Sequence, residues 1–382
     1  MIYLDNAATT SPKPQQVILA ANNGMLMSAN PGRSGHDMSM RASYQVFEVR
    51  QKLADFFDCP VPENVIFTQN CTQALNTAIR GMTVRGDHVV TSSLEHNSVV
   101  RVLERLKQEG RITYDIATVY PKDRQKTLNS FRKAIKSNTA MIVCTHASNV
   151  FGTILPIEEI GKLAQLNGLK FVVDAAQTAG ILEISMKKTG ITALCLPCHK
   201  GLYAAMGTGA LLLNENVSVE PLIFGGTGSE SMKIMQPDFF PDRLESGTLN
   251  LPGIMSIGAG IDFVNGHTIK KIHEYETNLC IELYNYLYNS NLSEIYTEFS
   301  PESSVATVAF NVKGLHSEEV AEKLNRDGIC VRAGYHCSYL AHKYMGTQEM
   351  GAVRVSVGVF NRKNEIKKLI NSINKIENQR FI

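Results

Sequence analysis

Short apolar runs alternate with amphipathic, helix-forming segments from about residue 14 to residue 213. The clearest apolar runs are VIFT (65–68), DHVVTSS (87–93), AMIVCTHAS (140–148) and KFVVDAAQ (170–177). Strands that alternate with helices along a chain predict a parallel sheet with helices packed on its faces. We therefore expect an α/β fold with a mostly parallel central sheet in this part of the chain.

The alternation ends at GTLNLPG (247–253), and a different pattern follows. A long helical stretch covers roughly residues 254 to 290, and short strands and helices then mix up to a final helix. A chain of 382 residues is long enough for two compact units. We predict a large α/β domain at 14–252, and a smaller α+β domain formed by 1–13 together with 253–382.

The overall charge and the cysteine pattern exclude several classes of protein. The 38 basic and 36 acidic residues give a net charge of +2, without the basic excess of nucleic-acid-binding proteins. No apolar window reaches the roughly 18 residues of a membrane-spanning helix. The first residues show neither the basic nor the apolar region of a secretory signal, and the eight cysteines are scattered singly. We therefore expect a cytoplasmic protein without nucleic-acid or membrane partners.

Polar and reactive side chains follow the strands that the apolar runs predict. Ligands of open α/β sheets bind beyond the carboxyl ends of the strands, so these residues should share one rim. They are Cys71, Thr72, His96, Asn149, Asp174, Gln177, His199 and Lys200. Each has an ordinary structural explanation when it is taken alone, such as a helix cap at Asn70 or Thr72. Together they are typical of a pyridoxal 5'-phosphate site, because this cofactor needs a lysine amine and an acidic partner for its ring nitrogen.

The stretch LCLPCHKGLY (194–203) supports a competing interpretation. Cys195, Cys198 and His199 have the spacing of a haem-attachment motif, which is also half of a zinc site. Attached haem of this type requires export, and zinc requires further ligands that no neighbouring segment supplies. We predict that Lys200 is the reactive group of this stretch and that the protein holds no metal.

Ten motifs in a fixed order extend the comparison from residue 3 to residue 358. They are YLDNAATT, QNCTQALNTAI, LEHNSVV, HASNVFGTILPIEEI, VVDAAQTAG, HKGLY, GTGALLL, RLESGTLNLPG, VRAGYHCS and VRVSVG. In these motifs the chain resembles the class V aminotransferase family of pyridoxal phosphate enzymes, in its cysteine desulfurase and selenocysteine lyase branch. The resemblance implies the fold of a fold-type I pyridoxal phosphate transferase.

The resemblance implies a role for each polar residue at the strand ends. It assigns the covalent cofactor bond to Lys200, the contact with the pyridine nitrogen to Asp174 and the imidazole stacked on the cofactor ring to His96. The other cofactor-binding residues that it implies are Cys71, Thr72, Asn149, Gln177, His199 and, from the second subunit of a homodimer with shared active sites, Thr248.

The resemblance also implies the substrate and the chemistry. The substrate would be L-cysteine, and the same machinery would accept L-selenocysteine. Arg354 would clamp the substrate carboxylate, a role that suits the bidentate guanidinium, and Asn149 and Arg332 would bind substrate beside it. Cys337 would attack the substrate sulfur, leaving a persulfide on the enzyme and L-alanine as product. The predicted catalytic residues are Lys200, Cys337 and His96.

The surroundings of two of these residues bear on their reactivity. The ordinary pKa of histidine lies near working pH, which suits His96 as a proton shuttle. A cationic His336 or Arg332 would lower the pKa of the Cys337 thiol. The short R-x-G-x-H-C spacing resembles the subgroup with a short active-site loop. We therefore expect the sulfur acceptor, a protein or a small thiol, to come to Cys337.

Two alternatives and two departures remain open at this point. The first alternative is a selenocysteine lyase, or another class V C–S lyase or aminotransferase in which Cys337 is incidental. The second is a non-catalytic sulfur carrier or metal-binding protein built on Cys195, Cys198 and His199. The departures are Cys198, where the family usually has glycine, and Ala204-Ala205 in place of Gly-Pro. A side chain at 198 would bring backbone strain if the glycine's angles are required. It is otherwise a tolerated change, a second thiol near the cofactor, or a mark of specialised activity.

Overall fold

A computed structural model describes residues 1–27, 29–32 and 34–378. The strands in these ranges are β1 Ile2–Tyr3, β2 Val65–Thr68, β3 Asp87–Ser92, β4 Ile112–Ala117, β5 Thr139–Thr145, β6 Lys170–Asp174, β7 Ala193–Pro197, β8 Gly209–Leu213, β9 Ser293–Ile295, β10 Thr307–Val312, β11 Ile329–Cys330, β12 Arg332–Gly334 and β13 Ala352–Ser356. The helices are α1 Gln15–Met27, α2 Asp37–Phe57, α3 Cys71–Met82, α4 Asn97–Gln108, α5 Arg124–Ala134, α6 Ile157–Leu166, α7 Met186–Thr189, α8 Leu251–His267, α9 Ile269–Asn289, α10 Ser317–Arg326, α11 Tyr339–Tyr344 and α12 Lys363–Asn378.

Seven strands form the central sheet, in the order β2-β8-β7-β6-β5-β3-β4. Neighbouring strands from β7 to β4 are parallel, whereas β8 runs antiparallel to both β2 and β7. The inner strands are almost entirely apolar because both faces of the sheet are covered, and β7 buries all five of its residues. The prediction of an α/β fold with a mostly parallel central sheet is confirmed.

The edge strand β4 was not among the strands that the apolar runs predict. Its sequence is ITYDIA, with Ile112 and Ala117 buried and Thr113 exposed. An edge strand needs fewer apolar residues than a central one, so its signal in the sequence is weak. Pairing with β3 along six residues places it in the sheet.

A second sheet lies in the C-terminal part of the chain, with the order β12-β13-β10-β9 and antiparallel pairing. Apolar residues of α9, α10 and α12 pack with β10 and β13 in one hydrophobic core, which Leu4 from the start of the chain also joins. Strand β1 pairs with β11, so the first residues belong to this part of the molecule. The domain limits themselves stay a prediction.

The helical stretch predicted over residues 254 to 290 is confirmed, and it consists of the two helices α8 and α9. Helix α8 ends and α9 begins at Thr268, whose φ of 68° lies outside the helical region. The Thr268 hydroxyl accepts a hydrogen bond from the Lys271 backbone N–H, which caps α9. Among the helices of the described ranges, none is long and apolar enough to cross a membrane.

Candidate active site

A cavity of about 120 Å³ lies where strands β5, β6 and β7 end. All eight residues predicted from the strand ends line it: Cys71, Thr72, His96, Asn149, Asp174, Gln177, His199 and Lys200. Parallel strands with short connections bring their carboxyl ends to one edge, which explains why residues more than a hundred positions apart meet here. Asn70 and Ser98 also line the cavity. The sequence indicated Asn70 only as a possible helix cap, and it gave no sign of Ser98.

Lys200 and Asp174 supply the two ionisable groups on the cavity wall. Asp174 is 2% exposed, and its carboxyl accepts a hydrogen bond of 2.9 Å from the Ala176 backbone N–H. Burial raises the pKa of Asp174, while the Ala176 N–H and the Lys200 cation oppose that rise. Burial, aided by the Arg354 guanidinium, lowers the pKa of Lys200 to about 8. A substantial share of the Lys200 amine is therefore neutral near physiological pH.

His96 caps helix α4, and hydrogen bonds to Ser98 hold its imidazole at the cavity wall. Its Nδ1 accepts from the Ser98 backbone N–H at 3.1 Å and lies 2.8 Å from the Ser98 hydroxyl. Because Nδ1 is an acceptor, the neutral ring carries its proton on Nε2. Burial, together with the cations Lys200 and Arg332, lowers the pKa of His96 to about 4. The imidazole is thus neutral at working pH, below the near-neutral pKa that the sequence led us to expect.

The first turn of α3 forms the opposite end of the cavity. The Asn70 side chain caps this helix by accepting from the Gln73 backbone N–H at 2.9 Å. The Thr72 hydroxyl lies 2.8 Å from that of Ser98, which links this turn to His96. The unpaired backbone N–H groups of a first helical turn and the positive end of the helix dipole favour a bound anion.

Gln177 and His199 connect the cavity to the beginning of the chain. The Gln177 amide donates to the Ala7 carbonyl at 3.2 Å, and His199 Nδ1 lies 3.0 Å from the Thr9 hydroxyl. Burial lowers the pKa of His199 to about 4, so this ring is neutral as well. These contacts hold the loops that follow β6 and β7 against the residues that follow β1.

Arg354 lies on β13, next to the cavity residue Asn149, and is 1% exposed. Its guanidinium donates to the Asn149 carbonyl at 2.9 Å and forms an ion pair with Asp5. Its Nε has no hydrogen-bond partner among the described residues. The position therefore combines a buried cation with free donor capacity next to Asn149, as an anchor for a carboxylate requires.

Cys337 is exposed, and the loop that carries it is tied to the large sheet's loops. Its carbonyl accepts from the Asn97 backbone N–H at 2.8 Å. The Asn149 amide donates to the His336 carbonyl at 2.8 Å and accepts from the Ser338 hydroxyl at 2.7 Å. Both His336 and Cys337 have positive φ angles, 52° and 56°, which turn the chain sharply at the thiol.

The Arg332 guanidinium lies 3.8 Å from the Cys337 sulfur, within hydrogen-bonding distance of it. His336 is buried, and burial together with the Arg354 charge lowers its pKa to about 2. This imidazole is therefore neutral, and the expectation of a cationic His336 is not supported. Of the two predicted neighbours, Arg332 is the one that brings a positive charge to the Cys337 sulfur.

Comparisons with known proteins agree with this arrangement. Residues 2–369 match the family model described as aminotransferase class-V. The chain belongs to the class-V aminotransferase family. A probable cysteine desulfurase of Methanothermobacter thermautotrophicus is 32% identical, covering 98% of this chain and 94% of the relative. One of Pyrococcus abyssi is 31% identical, again over 98% of this chain and 94% of the relative.

A solved structure supports the same family relationship. The cysteine desulfurase of Thermococcus onnurineus matches with a TM-score of 0.90 and 30% identity, over 99% of this chain and 95% of that one. A NifS-like protein matches at a TM-score of 0.86 with 24% identity, covering all of both chains, and supports the fold alone. Class-V enzymes of this kind have the fold-type I architecture that the sequence implied.

Thr248 does not line the cavity that contains Lys200 in the same chain. It is exposed and lies in a separate groove with Gln69, Gln73 and Thr208. Its segment is anchored by Glu245, which forms two hydrogen bonds of 2.9 Å with the buried Arg50 guanidinium. Within one chain, then, Thr248 is the predicted cofactor-binding residue that stands apart from the others.

The two cysteines of LCLPCHKGLY face opposite sides of the central sheet. Cys195 packs in the core on one face, and Cys198 packs in the core on the other. Among the described residues no group of three or more histidine, cysteine or acidic side chains could hold a metal. Two thiols on opposite faces of a sheet cannot bind the same metal ion or the same haem. A metal centre or a haem attachment at this motif therefore does not fit the geometry.

Cys198 causes no backbone strain at the place where the class-V family usually has glycine. Its φ is not positive, its backbone N–H donates to the Thr208 carbonyl at 3.0 Å, and its side chain is fully buried. The Cys198 side chain is absent from the cavity wall, although Pro197, His199 and Lys200 are on it. Of the interpretations left open above, a tolerated change is the one that the structure favours.

We expect Cys198→Gly to leave catalytic activity at the parent level and to lower the free energy of unfolding by about 2 kcal/mol, through a lost buried side chain and a more flexible unfolded chain. Denaturant unfolding and steady-state assays of the same preparation measure the two effects. A large loss of activity in a fully folded Cys198→Gly variant would instead show that this thiol takes part in the reaction.

Proposed function

We propose that the protein is a pyridoxal phosphate-dependent cysteine desulfurase that converts L-cysteine to L-alanine and leaves a persulfide on Cys337. The observation that carries the proposal is the position of Cys337, an exposed thiol beside Arg332 and tied through Asn149 to the cavity that contains Lys200. An incidental surface cysteine would need none of these contacts. The relatives named as cysteine desulfurases support the same activity.

The groups on the cavity wall fit pyridoxal phosphate. The Lys200 amine, with its pKa of about 8, is suited to covalent attachment, and the buried Asp174 carboxyl is suited to a protonated ring nitrogen. The first turn of α3, with Thr72 beside it, is an anion site for the phosphate. When bound, the cofactor supplies an electron sink that stabilises negative charge on the substrate carbon next to the amine.

The chain's own residues then divide the work. Arg354 and Asn149 hold the substrate carboxylate. The neutral Lys200 amine removes a proton from the substrate carbon next to the amine and later returns it. The neutral His96, with its proton on Nε2, can donate a hydrogen bond to the substrate sulfur. The Cys337 thiolate attacks that sulfur, so that the substrate C–S bond breaks and a sulfur–sulfur bond forms. L-cysteine and the Cys337 thiol together become L-alanine and a Cys337 persulfide, with no other reactant required.

Mass analysis of the protein after incubation with L-cysteine tests the proposed function. One additional sulfur atom should appear, confined to the peptide that contains Cys337, and L-alanine should form with it. An added sulfur on another cysteine, or alanine formation without any persulfide, would contradict the assignment.

The tied loop supports the view that the sulfur acceptor comes to Cys337. Releasing the thiol from its place requires breaking the Asn97 hydrogen bond and both Asn149 hydrogen bonds. We propose that a protein or small-thiol acceptor collects the sulfur with the loop in this conformation. A structure of an acceptor complex in which Cys337 has moved far from Lys200 would refute this.

The exposed position of Thr248 supports a homodimer in which this residue completes the partner's phosphate site. Large apolar side chains are exposed in the preceding segment, among them Phe224, Ile234 and Met235. A second copy of the chain would cover such a surface. A monomer in sedimentation analysis of the cofactor-loaded enzyme would argue against this assembly.

The eight unpaired cysteines support a reducing compartment such as the cytoplasm.

A further inference from the structure

Two arginines stand directly opposite each other at the proposed carboxylate anchor. Arg332 on β12 and Arg354 on β13 are partners in the antiparallel pairing, so their side chains leave the same face of the sheet. Like charges in this position repel each other. Burial lowers the pKa of Arg354, and the charge of Arg332 lowers it further. A pair of this kind requires a compensating anion.

Asp5 is the protein's own anion at this pair. It follows β1, is bridged to Ser356 at the end of β13, and places its carboxylate against the Arg354 guanidinium. Its side chain is 21% exposed, whereas that of Arg354 is 1% exposed. Two guanidiniums and one carboxylate leave one excess positive charge. Within the described part of the chain, the buried Arg354 Nε has no hydrogen-bond partner, so the hydrogen-bonding capacity of this guanidinium is not used up by the protein.

We propose that Asp5 sets the affinity of the site for the carboxylate of the amino acid, because it holds the Arg332–Arg354 pair at one excess positive charge. The choice of L-cysteine and L-alanine as ligands rests on the proposed function. With Asp5 in place, the anchor binds one carboxylate and still releases the product. Without the charge of Asp5, the same anchor binds that carboxylate more tightly.

Calorimetric titration of the cofactor-loaded enzyme with L-alanine tests this directly. Asp5→Asn keeps the side-chain shape and an oxygen that can accept from Arg354, and removes only the charge. We expect Kd for L-alanine and KM for L-cysteine both to fall about three- to tenfold with kcat unchanged. A change of this size is expected when one unit charge is removed from a site where solvent partly screens it. Asp262→Asn, which removes an exposed carboxylate paired with Lys52, should change neither constant.

A second variant protects the test against a folding defect in Asp5→Asn. Arg332→Gln should weaken L-alanine binding, and Asp5→Asn combined with Arg332→Gln should bind more tightly than Arg332→Gln alone, because it restores one excess positive charge. An unchanged or increased Kd on removing the Asp5 charge, even with a lowered melting temperature, would mean that Asp5 is structural and would overturn the proposal. If the parent enzyme bound L-alanine but formed no persulfide, the proposed function would fail. The titrations would still show whether the charge of Asp5 sets the affinity for L-alanine.

Discussion

Replacing Cys337 with serine is expected to abolish persulfide formation and to lower the rate of alanine production from L-cysteine by a factor on the order of 10³ or more. Serine differs from cysteine only in a smaller side-chain atom, and the hydrogen bonds from Asn97 and Asn149 go to backbone carbonyls of this loop, so they should persist. The serine hydroxyl is nevertheless far too poor a nucleophile at neutral pH to take a sulfur atom from the substrate. Assays of alanine release and mass analysis of the protein measure the two losses.

Cys330→Ser is the matched control, since Cys330 is a partly buried cysteine on the neighbouring strand β11. It should keep both persulfide and alanine formation. Parent-level alanine and persulfide formation in Cys337→Ser would refute the desulfurase mechanism. Loss of cysteine turnover with retained lysis of L-selenocysteine would instead favour the selenocysteine lyase alternative.

Replacing Lys200 with alanine is expected to remove the covalent attachment of the cofactor and to reduce turnover by a factor on the order of 10³ or more. Among the residues that the structure describes, no other side-chain amine lines this cavity. The long-wavelength absorbance of bound pyridoxal phosphate should disappear from the purified variant, and reduction with borohydride should no longer fix the cofactor to the protein. Lys52→Ala, which changes an exposed lysine on α2, should retain both properties.

The pKa of Lys200 gives the same assignment a pH dependence. Attachment requires the neutral amine, and burial has lowered its pKa to about 8 from the ordinary value near 10.5. The rate at which cofactor-free enzyme takes up pyridoxal phosphate should therefore rise as the pH increases through about 8 and then level off. A rate that kept rising toward pH 10.5 would show that Lys200 is not perturbed in this way.

Much of the site was predictable because each strand of a parallel sheet ends at the same rim. Asp174 and Lys200 follow apolar strands that were recognisable from their composition, and topology alone brings such residues together. Ser98 was missed because it lies in the first turn of α4, where serine is ordinary, and its importance comes from contacts with His96 and Thr72. The break at Thr268 was missed because apolar residues continue on both sides of it.

The amino-acid sequence by itself determined the α/β class, the order of the strands along the chain and the reactive residues at their ends. These features follow from local periodicity and from residue type, which a linear pattern contains in full. Only the tertiary structure decided which of these groups lie near one another. It placed Cys195 and Cys198 on opposite faces of a sheet, held Cys337 through Asn97 and Asn149, and set Asp5 against Arg354. Such contacts join residues up to 349 positions apart, and they exist only once the packed units bring distant segments together and bury their charges.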